Sequence, residues 1–370
     1  MRINIKEQLL KKILFAFVIL TLGSCKDPAV FHTISQEEKQ LEPLIKGSPT
    51  NFVKFNGNMY VGSGTTLYRY NGPYPNKPAR GDWTPSTPGG DILQLAATNS
   101  KMYALYNVSG NITLKETNNG NDWVIISAPA NIQTIYAENN QLFIGAGTVD
   151  SFSILKLDGS KLTDTQDKLL NGVAYDGSST YYLSAKSLST ESGGGIYSSN
   201  LTTTNPISST EGIPFMGIIN LGSTHGNKIA AISRNGVLYE VTSSGVSQKA
   251  ELAGDRKLAT GALAVWNNQL LLAGRQDAMI NSVNYLHGYQ ELELDSGGIK
   301  SGAAFSDPGL NPVSSVNYGD NGTYKSIMEK NPVIFLYQVA DNDILFASTQ
   351  TKGVWSYRLR SGKWQWNAEQ

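Results

Sequence analysis

The chain has 370 residues, 40% of them hydrophobic and 16% charged, with 37 glycines. That length supports a large core, and low charge with abundant Gly and Tyr suits many short strands joined by turns, with helix signals nearly absent after residue 46. Lys plus Arg and Asp plus Glu each total 30, so bulk charge provides no basic face for duplex nucleic acid, and no nucleic-acid partner is expected.

The first element is a targeting segment. Arg2, Lys6, Lys11 and Lys12 form a basic stretch, and Ile13 to Leu22 is an apolar run broken only by Thr21. The run is about half of what a bilayer-spanning helix needs, which fits a signal h-region. It leads into Leu22-Gly23-Ser24-Cys25, where Cys25 is the single cysteine of the chain. This resembles the lipobox of bacterial lipoproteins. The resemblance implies cleavage after residue 24, acylation of Cys25, and attachment to a lipid bilayer in the bacterial cell envelope, at the outer membrane or cell surface where the host has two membranes. Removing residues 1–24 leaves 26 basic and 29 acidic side chains, a net charge of about −3. Without a second cysteine no internal disulfide can form, so stability must come from apolar burial. Residues 25–50, with Glu37, Glu38 and Glu42, read as a polar tether. Lys26-Asp27 resembles the lysine-plus-acid export signal of some lipoproteins, with one acid only.

From residue 51 to 370 one unit recurs. Its clearest copy is Ile132 to Leu157: an apolar strand, a tight turn at Asn139–Asn140, a second strand ending Gly-Ala-Gly, and a third strand. Taking the first residue of the strand after each tight turn as a mark gives Met59, Met102, Leu142, Tyr181, Ile229, Leu270 and Ile344. The spacings cluster near the forty-odd residues of a four-stranded propeller blade, except the last, which carries an insertion between Asp295 and Thr323. The fold class is therefore all-β: a seven-bladed β-propeller after a cleaved signal peptide and tether, with six or eight blades as alternatives because each fourth strand is weakly marked. Gly62, Gly145, Gly147 and Gly274 close the second strands and read as packing positions near the axis. GSG and GAG lack the further glycine and the helix of a dinucleotide fingerprint, so no cofactor is expected.

At one corner Glu116-Thr117-Asn118-Asn119-Gly120-Asn121-Asp122-Trp123 resembles the Asp-box of sialidase-like propellers, with Asn118, Gly120 and Trp123 in register. Arg360-Ser361-Gly362-Lys363-Trp364 is a shortened copy. The resemblance implies a structural corner with its Trp packed between blades, remote from any active site.

Labelling the strands of each blade A to D, the B–C and D–A connections leave one face and the A–B and C–D connections the other. The sequence predicts tight A–B turns and short C–D turns. It predicts long B–C loops at Lys186–Gly195 and Arg275–His287, and long D–A loops at Gly72–Gly90 and Asp295–Thr323. All insertions then crowd one rim, which becomes the expected binding face. Its candidate binding residues are Arg275, Asp277, Tyr285, His287, Glu191 and Asp307, a set able to hold a sugar or a peptide. Glu291, Glu293 and Asp295 alternate and are expected to line a solvated strand face.

The three histidines, His32, His225 and His287, have no metal-ligand spacing, and neither a His-Glu-x-x-His nor a Gly-x-Ser-x-Gly motif occurs, so no metal and no catalytic residue is assigned. The expected protein is a monomeric, membrane-anchored lipoprotein whose propeller binds a protein or glycan without catalysis. The alternative is a sialidase-like glycan hydrolase using the rim carboxylates.

Overall fold

Paired asparagines set the hairpins. In the computed structural model, which describes residues 43–71, 82–185, 194–199, 205–252, 258–275, 289–305, 333–339, 344–360 and 363–369, Asn139 and Asn140 have φ of 46° and 58°. Asn267 and Asn268 repeat this at 45° and 62°, and Asn56–Gly57 at 48° and 77°. Two successive left-handed residues twist the turn to match antiparallel strands, and the short Asn amide tolerates that backbone. The flanking apolar runs then pair, with Ile135 opposite Ile144 and Tyr136 opposite Phe143.

The described strands form seven antiparallel sheets, each a meander in chain order. Blade 1 holds β1 (Val53–Phe55), β2 (Asn58–Ser63), β3 (Thr66–Tyr70) and β4 (Trp83–Ser86). Blade 2 holds β5 (Asp91–Ala97), β6 (Met102–Val108), β7 (Asn111–Thr117) and β8 (Val124–Ile125), and blade 3 holds β9 (Ile132–Glu138), β10 (Gln141–Thr148), β11 (Ser151–Lys156) and β12 (Lys161–Gln166). Blade 4 has three strands, β13 (Leu169–Tyr175), β14 (Thr180–Ala185) and β15 (Gly194–Ser198). Blade 5 follows with β16 (Phe215–Asn220), β17 (Ile229–Ser233), β18 (Val237–Thr242) and β19 (Gly245–Glu251). Blade 6 has β20 (Leu258–Trp266), β21 (Gln269–Arg275), β22 (Gln290–Asp295) and β23 (Gly298–Ile299), and blade 7 has β24 (Val333–Val339), β25 (Ile344–Thr349), β26 (Val354–Arg360) and β27 (Lys363–Ala368).

Each sheet shares a buried apolar cluster with the next: blades 1–2 through Phe55 and Met102, 2–3 through Leu105 and Ile144, 3–4 through Phe143 and Tyr182. The series continues through Leu183 and Phe215, Ile232 and Leu272, and Tyr289 and Leu345. A seventh cluster joins blade 7 back to blade 1 through Phe346 and Tyr70. An open row of sheets would lack that last interface; its presence closes the ring into a seven-bladed β-propeller. Full burial of each large apolar side chain contributes about 1.5–3 kcal/mol, and the fold needs it, since no disulfide is available.

All four strands of blade 7 come from one continuous stretch, and the ring closes by packing, side chains and backbone bonds from the segment before β1. At the junction Phe346 lies 5.2 Å from the Tyr70 ring and 5.7 Å from Trp83, edge-on to both. Residues 43–50, which the sequence assigns to the tether, run along blade 7. Val354 N–H donates to Ile45 O at 3.1 Å, Gly353 N–H to Gly47 O at 3.0 Å, and Leu44 N–H to Glu369 O at 2.6 Å. Ile45 is fully buried there.

The A strands lie innermost and contact their neighbours. Their free edges would leave backbone groups unpaired, and side chains from the preceding blade cap several of them. The Asn51 amide both accepts from Leu95 N–H at 3.0 Å and donates to Leu95 O at 2.7 Å. Ile135 N–H donates to Gln94 Oε1, Thr134 Oγ1 to Leu170 O, and Asn171 Nδ2 to Met216 O. The same inner crowding explains the glycines. A Cβ at Gly62 would sit 2.7 Å from Ile92 of the next blade, and one at Gly217 would sit 2.2 Å from the Gly261 carbonyl oxygen.

Two loop expectations are corrected. β4 pairs antiparallel with β3, Tyr70 opposite Trp83 and Leu67 opposite Ser86. Residues 71–82 therefore form a C–D connection, on the rim opposite the one expected, and the D–A connection is only 87–90. The A–B turn of blade 5 is not tight: residues 221–228 contain a 3-10 turn at Ser223–His225.

Candidate functional site

With strand ends fixed, the rims separate. The strand ends that bound 186–193, 276–289 and 300–332 open on the B–C/D–A rim and those that bound 71–82 and 221–228 on the other, while the connection after β15 starts on one rim and ends on the other, because blade 4 has three strands among the described residues. Three of the four expected long loops are thus bounded by strand ends on one rim, and the fourth moves across.

Of the expected site residues, Arg275 is the last residue of β21, where it pairs with Leu258 at the B–C end of blade 6. Glu191, Asp277, Tyr285, His287 and Asp307, like Cys25 and His32, lie outside the described residues. Among the described residues no group of three His, Cys, Asp or Glu could hold a metal ion. His225 is buried in the 221–228 connection, its Nδ1 2.7 Å from Asp295 O, so it ties blade 5 to blade 6. No described helix is long and apolar enough to cross a membrane.

The described part of the B–C/D–A rim brings Tyr197 of β15 near two acids. Burial, then the negative fields of Glu211 and Asp167, push its phenol up to about 12. That holds the proton on, opposite to what an attacking phenolate requires. On the other rim the Asp176 carboxyl closes the blade 4 hairpin. Burial opposes its charge, yet it accepts from Ser178 N–H at 2.8 Å, Ser179 N–H at 2.7 Å, Ser178 Oγ at 2.9 Å and Tyr181 Oη at 3.0 Å. These bonds hold it below the usual carboxylate range.

The corner at residues 116–123 is built from its own polar side chains. Asn119 Oδ1 accepts from Asn121 N–H at 2.8 Å and Asp122 N–H at 2.9 Å, and Thr117 Oγ1 accepts from Gly120 N–H at 3.0 Å. Gly120 has φ of 82°, and a Cβ there would meet Tyr60 of blade 1. Trp123 packs on the blade 1–2 cluster, edge-on to Tyr106 at 5.9 Å.

Sequence reasoning placed Glu291 on a solvated face; it is buried, with 2% exposure, on β22 beside the blade 6–7 cluster. It also missed Glu369, a second buried carboxyl, which accepts from Trp83 Nε1 at 2.8 Å and from Ser356 Oγ. A third missed feature is concave. Between β7 and the connection to β9 runs a groove of about 440 Å³, lined by Gly110–Leu114, Ile126 and Ala128–Gln133. Every lining residue is uncharged, and nothing in the strand pattern marked the groove, because it exists only where a fourth strand stops early.

A scan of known family models finds none that matches the chain, and a search of curated proteins finds no match. Among solved structures the chain is similar to the computationally designed Ika8 protein, with a TM-score of 0.46 and 10% identity, over 86% of this chain and 100% of that one. It is also similar to Hsv2 of K. marxianus, with a TM-score of 0.46 and 9% identity, over 88% of this chain and 98% of that one.

Proposed function

We propose that the chain is an exported bacterial lipoprotein, acylated at Cys25 and held in the cell envelope, whose propeller is a non-catalytic binding or scaffold module for a protein or glycan. The observation that supports the module reading is that, in a closed ring, the strand ends bounding three long connections, 186–193, 276–289 and 300–332, open on one side. Rigid scaffolds with elaborated loops on one side are the usual arrangement for recognition. Glu191, Arg275, Asp277, Tyr285, His287 and Asp307 are the residues we assign to contact on that rim. The anchor reading rests on the apolar run before Leu22-Gly23-Ser24-Cys25.

Two measurements test the two halves. In a bacterial host fed labelled palmitate, the full chain should take up label and sediment with membranes, while Cys25→Ser should do neither; equal labelling of both overturns the anchor. For the module, the full chain and a variant lacking residues 306–323 are compared for recovery of envelope proteins and for binding on a glycan array. Loss of specific partners in the variant is expected, and an unchanged set removes the rim assignment.

A further inference from the structure

The outer edge of blade 2 is incomplete. β8 pairs with β7 only at Val124 opposite Glu116 and Ile125 opposite Lys115, and a last bond runs from Ile126 N–H to Leu114 O at 3.1 Å. The chain then leaves toward β9, while β7 continues to Asn111. Since Leu114 turns its carbonyl outward, strand alternation turns the Ile112 N–H and C=O and the Leu114 N–H outward too. Among the described residues none of the three has a hydrogen-bond partner. The groove lies along this edge, walled on its far side by Ala128–Asn131. Exposed apolar side chains flank it: Val108 at 42%, Ile112 at 37%, Val124 at 57% and Ile125 at 71%.

Longer fourth strands cover the equivalent edge in blades 3 and 5, whereas β23 of blade 6 is as short as β8. β12 and β19 run six and seven residues. Blade 4 lacks a fourth strand, yet its edge is plugged from within: Ile196 N–H donates to Thr210 Oγ1 at 3.0 Å, and Ile207 N–H donates to Ile196 O at 2.8 Å. Blade 2 has no such plug, and an open edge beside exposed apolar residues is a hazard that proteins normally block.

We propose that this edge is a peptide-binding site, which takes an extended, uncharged polypeptide segment as an added outer strand. The donor, acceptor, donor row of Ile112 and Leu114 is the complement of an extended backbone, and strand addition is an established mode of peptide recognition. The uncharged lining gives a charged segment nothing to pair with and makes its desolvation costly. Ala128–Asn131 line the groove opposite this edge, and the edge of a second folded copy would bring its own neighbouring strands and turns against them. The site uses neither Cys25 nor the long connections, so it goes beyond the rim reading and stands or falls separately.

The full chain is panned against a phage-displayed library of random dodecapeptides, and enriched sequences are made synthetically with a fluorophore. Enriched peptides should be uncharged, with β-branched residues at alternate positions, and their addition should slow amide exchange at Ile112 and Leu114. Ile112→Pro removes an outward N–H and leaves the rungs to β6, which use Asn111 and Thr113; proline is tolerated on such an edge. It should weaken binding at least about tenfold, with Ile112→Val unchanged. Should Ile112→Pro fail to show the wild-type circular dichroism, Ala130→Glu on the far wall serves instead, with the same expected loss. No enrichment, peptide affinity within about twofold in these variants, or protection confined to other amides would overturn the proposal. Concentration-dependent protection of Ile112 and Leu114 without peptide would also overturn it, in favour of a second copy.

Discussion

Removing the Glu369 carboxyl should loosen the ring where it closes. The side chain is fully buried, and it accepts from Trp83 Nε1 of blade 1 at 2.8 Å and from Ser356 Oγ of blade 7. Its backbone joins the same junction, since Glu369 N–H donates to Val354 O and Leu44 N–H to Glu369 O. Hydrogen bonds to a charged acceptor are worth about 1.5–3 kcal/mol each, and truncation strands the Trp83 indole N–H in an apolar cluster, which costs about 1–3 kcal/mol. Not all of these add, and removing the carboxyl also returns the cost of burying it. Glu369→Ala is therefore expected to lose about 2–4 kcal/mol in urea unfolding followed by circular dichroism. A double-mutant cycle with Trp83→Phe isolates the pair and should give a coupling of about 1–2 kcal/mol. Amide exchange should quicken first at Leu44, Gly353 and Val354. A loss below about 1 kcal/mol, or additivity with Trp83→Phe within about 0.5 kcal/mol, would refute the view that this carboxyl bridges the first and last blades.

Four further outcomes follow from local geometry. Gly217→Ala drives a Cβ to 2.2 Å from the Gly261 carbonyl oxygen, so two A strands must part, and denaturation should show a loss of about 2 kcal/mol or more. Gly57→Ala, whose Cβ would meet nothing within 4 Å, should lose only the backbone cost of φ 77°, about 1–2 kcal/mol. Thr210→Val removes the acceptor for Ile196 N–H and should cost about 1–3 kcal/mol, while Thr210→Ser restores it. Asp176 is held below its ordinary range, so its folded form binds a proton less readily than the unfolded chain. Its stabilisation is full above the ordinary carboxylate value and is lost as pH falls through the folded one. The gap between wild type and Asp176→Asn should therefore be widest near neutral pH and shrink in acid, and a gap independent of pH would contradict the assignment.

The ring was legible because its most local devices are written in residue types. Asn139–Asn140 and Asn267–Asn268 mark hairpins by the backbone they tolerate, and counting those marks counts blades. The failures have a common source in the D strands. Trp83-Thr84-Pro85-Ser86 contains a proline, which argues against a strand, yet on an outermost edge a missing N–H removes nothing from the ladder. Overlooking β4 is what sent residues 71–82 to the wrong rim. The missing fourth strand of blade 4 hid in the same way, because a hydroxyl from Thr210 does the work of a strand and no periodicity records it. Glu291 failed for another reason. Period-2 alternation separates core from solvent only when one face of a sheet is wet, and here neighbours cover both faces of every blade, so alternate residues point to two interiors.

That double burial restricts where such a molecule can meet anything. The faces of the sheets are consumed in making the ring, and the inner edges are stitched by Asn51, Gln94, Thr134 and Asn171. Two rims and the outer edges remain. Rim loops vary without touching the ring's packing, so long connections can accumulate there at little cost in stability. An outer edge is different, because each residue removed from a fourth strand exposes paired groups on the third. A two-residue β8 beside an uncharged groove is thus a departure the fold does not need for its own closure. Recognition divided between loops on a rim and backbone on an edge would let one rigid disc hold two partners of different chemistry, since neither site borrows a residue from the other.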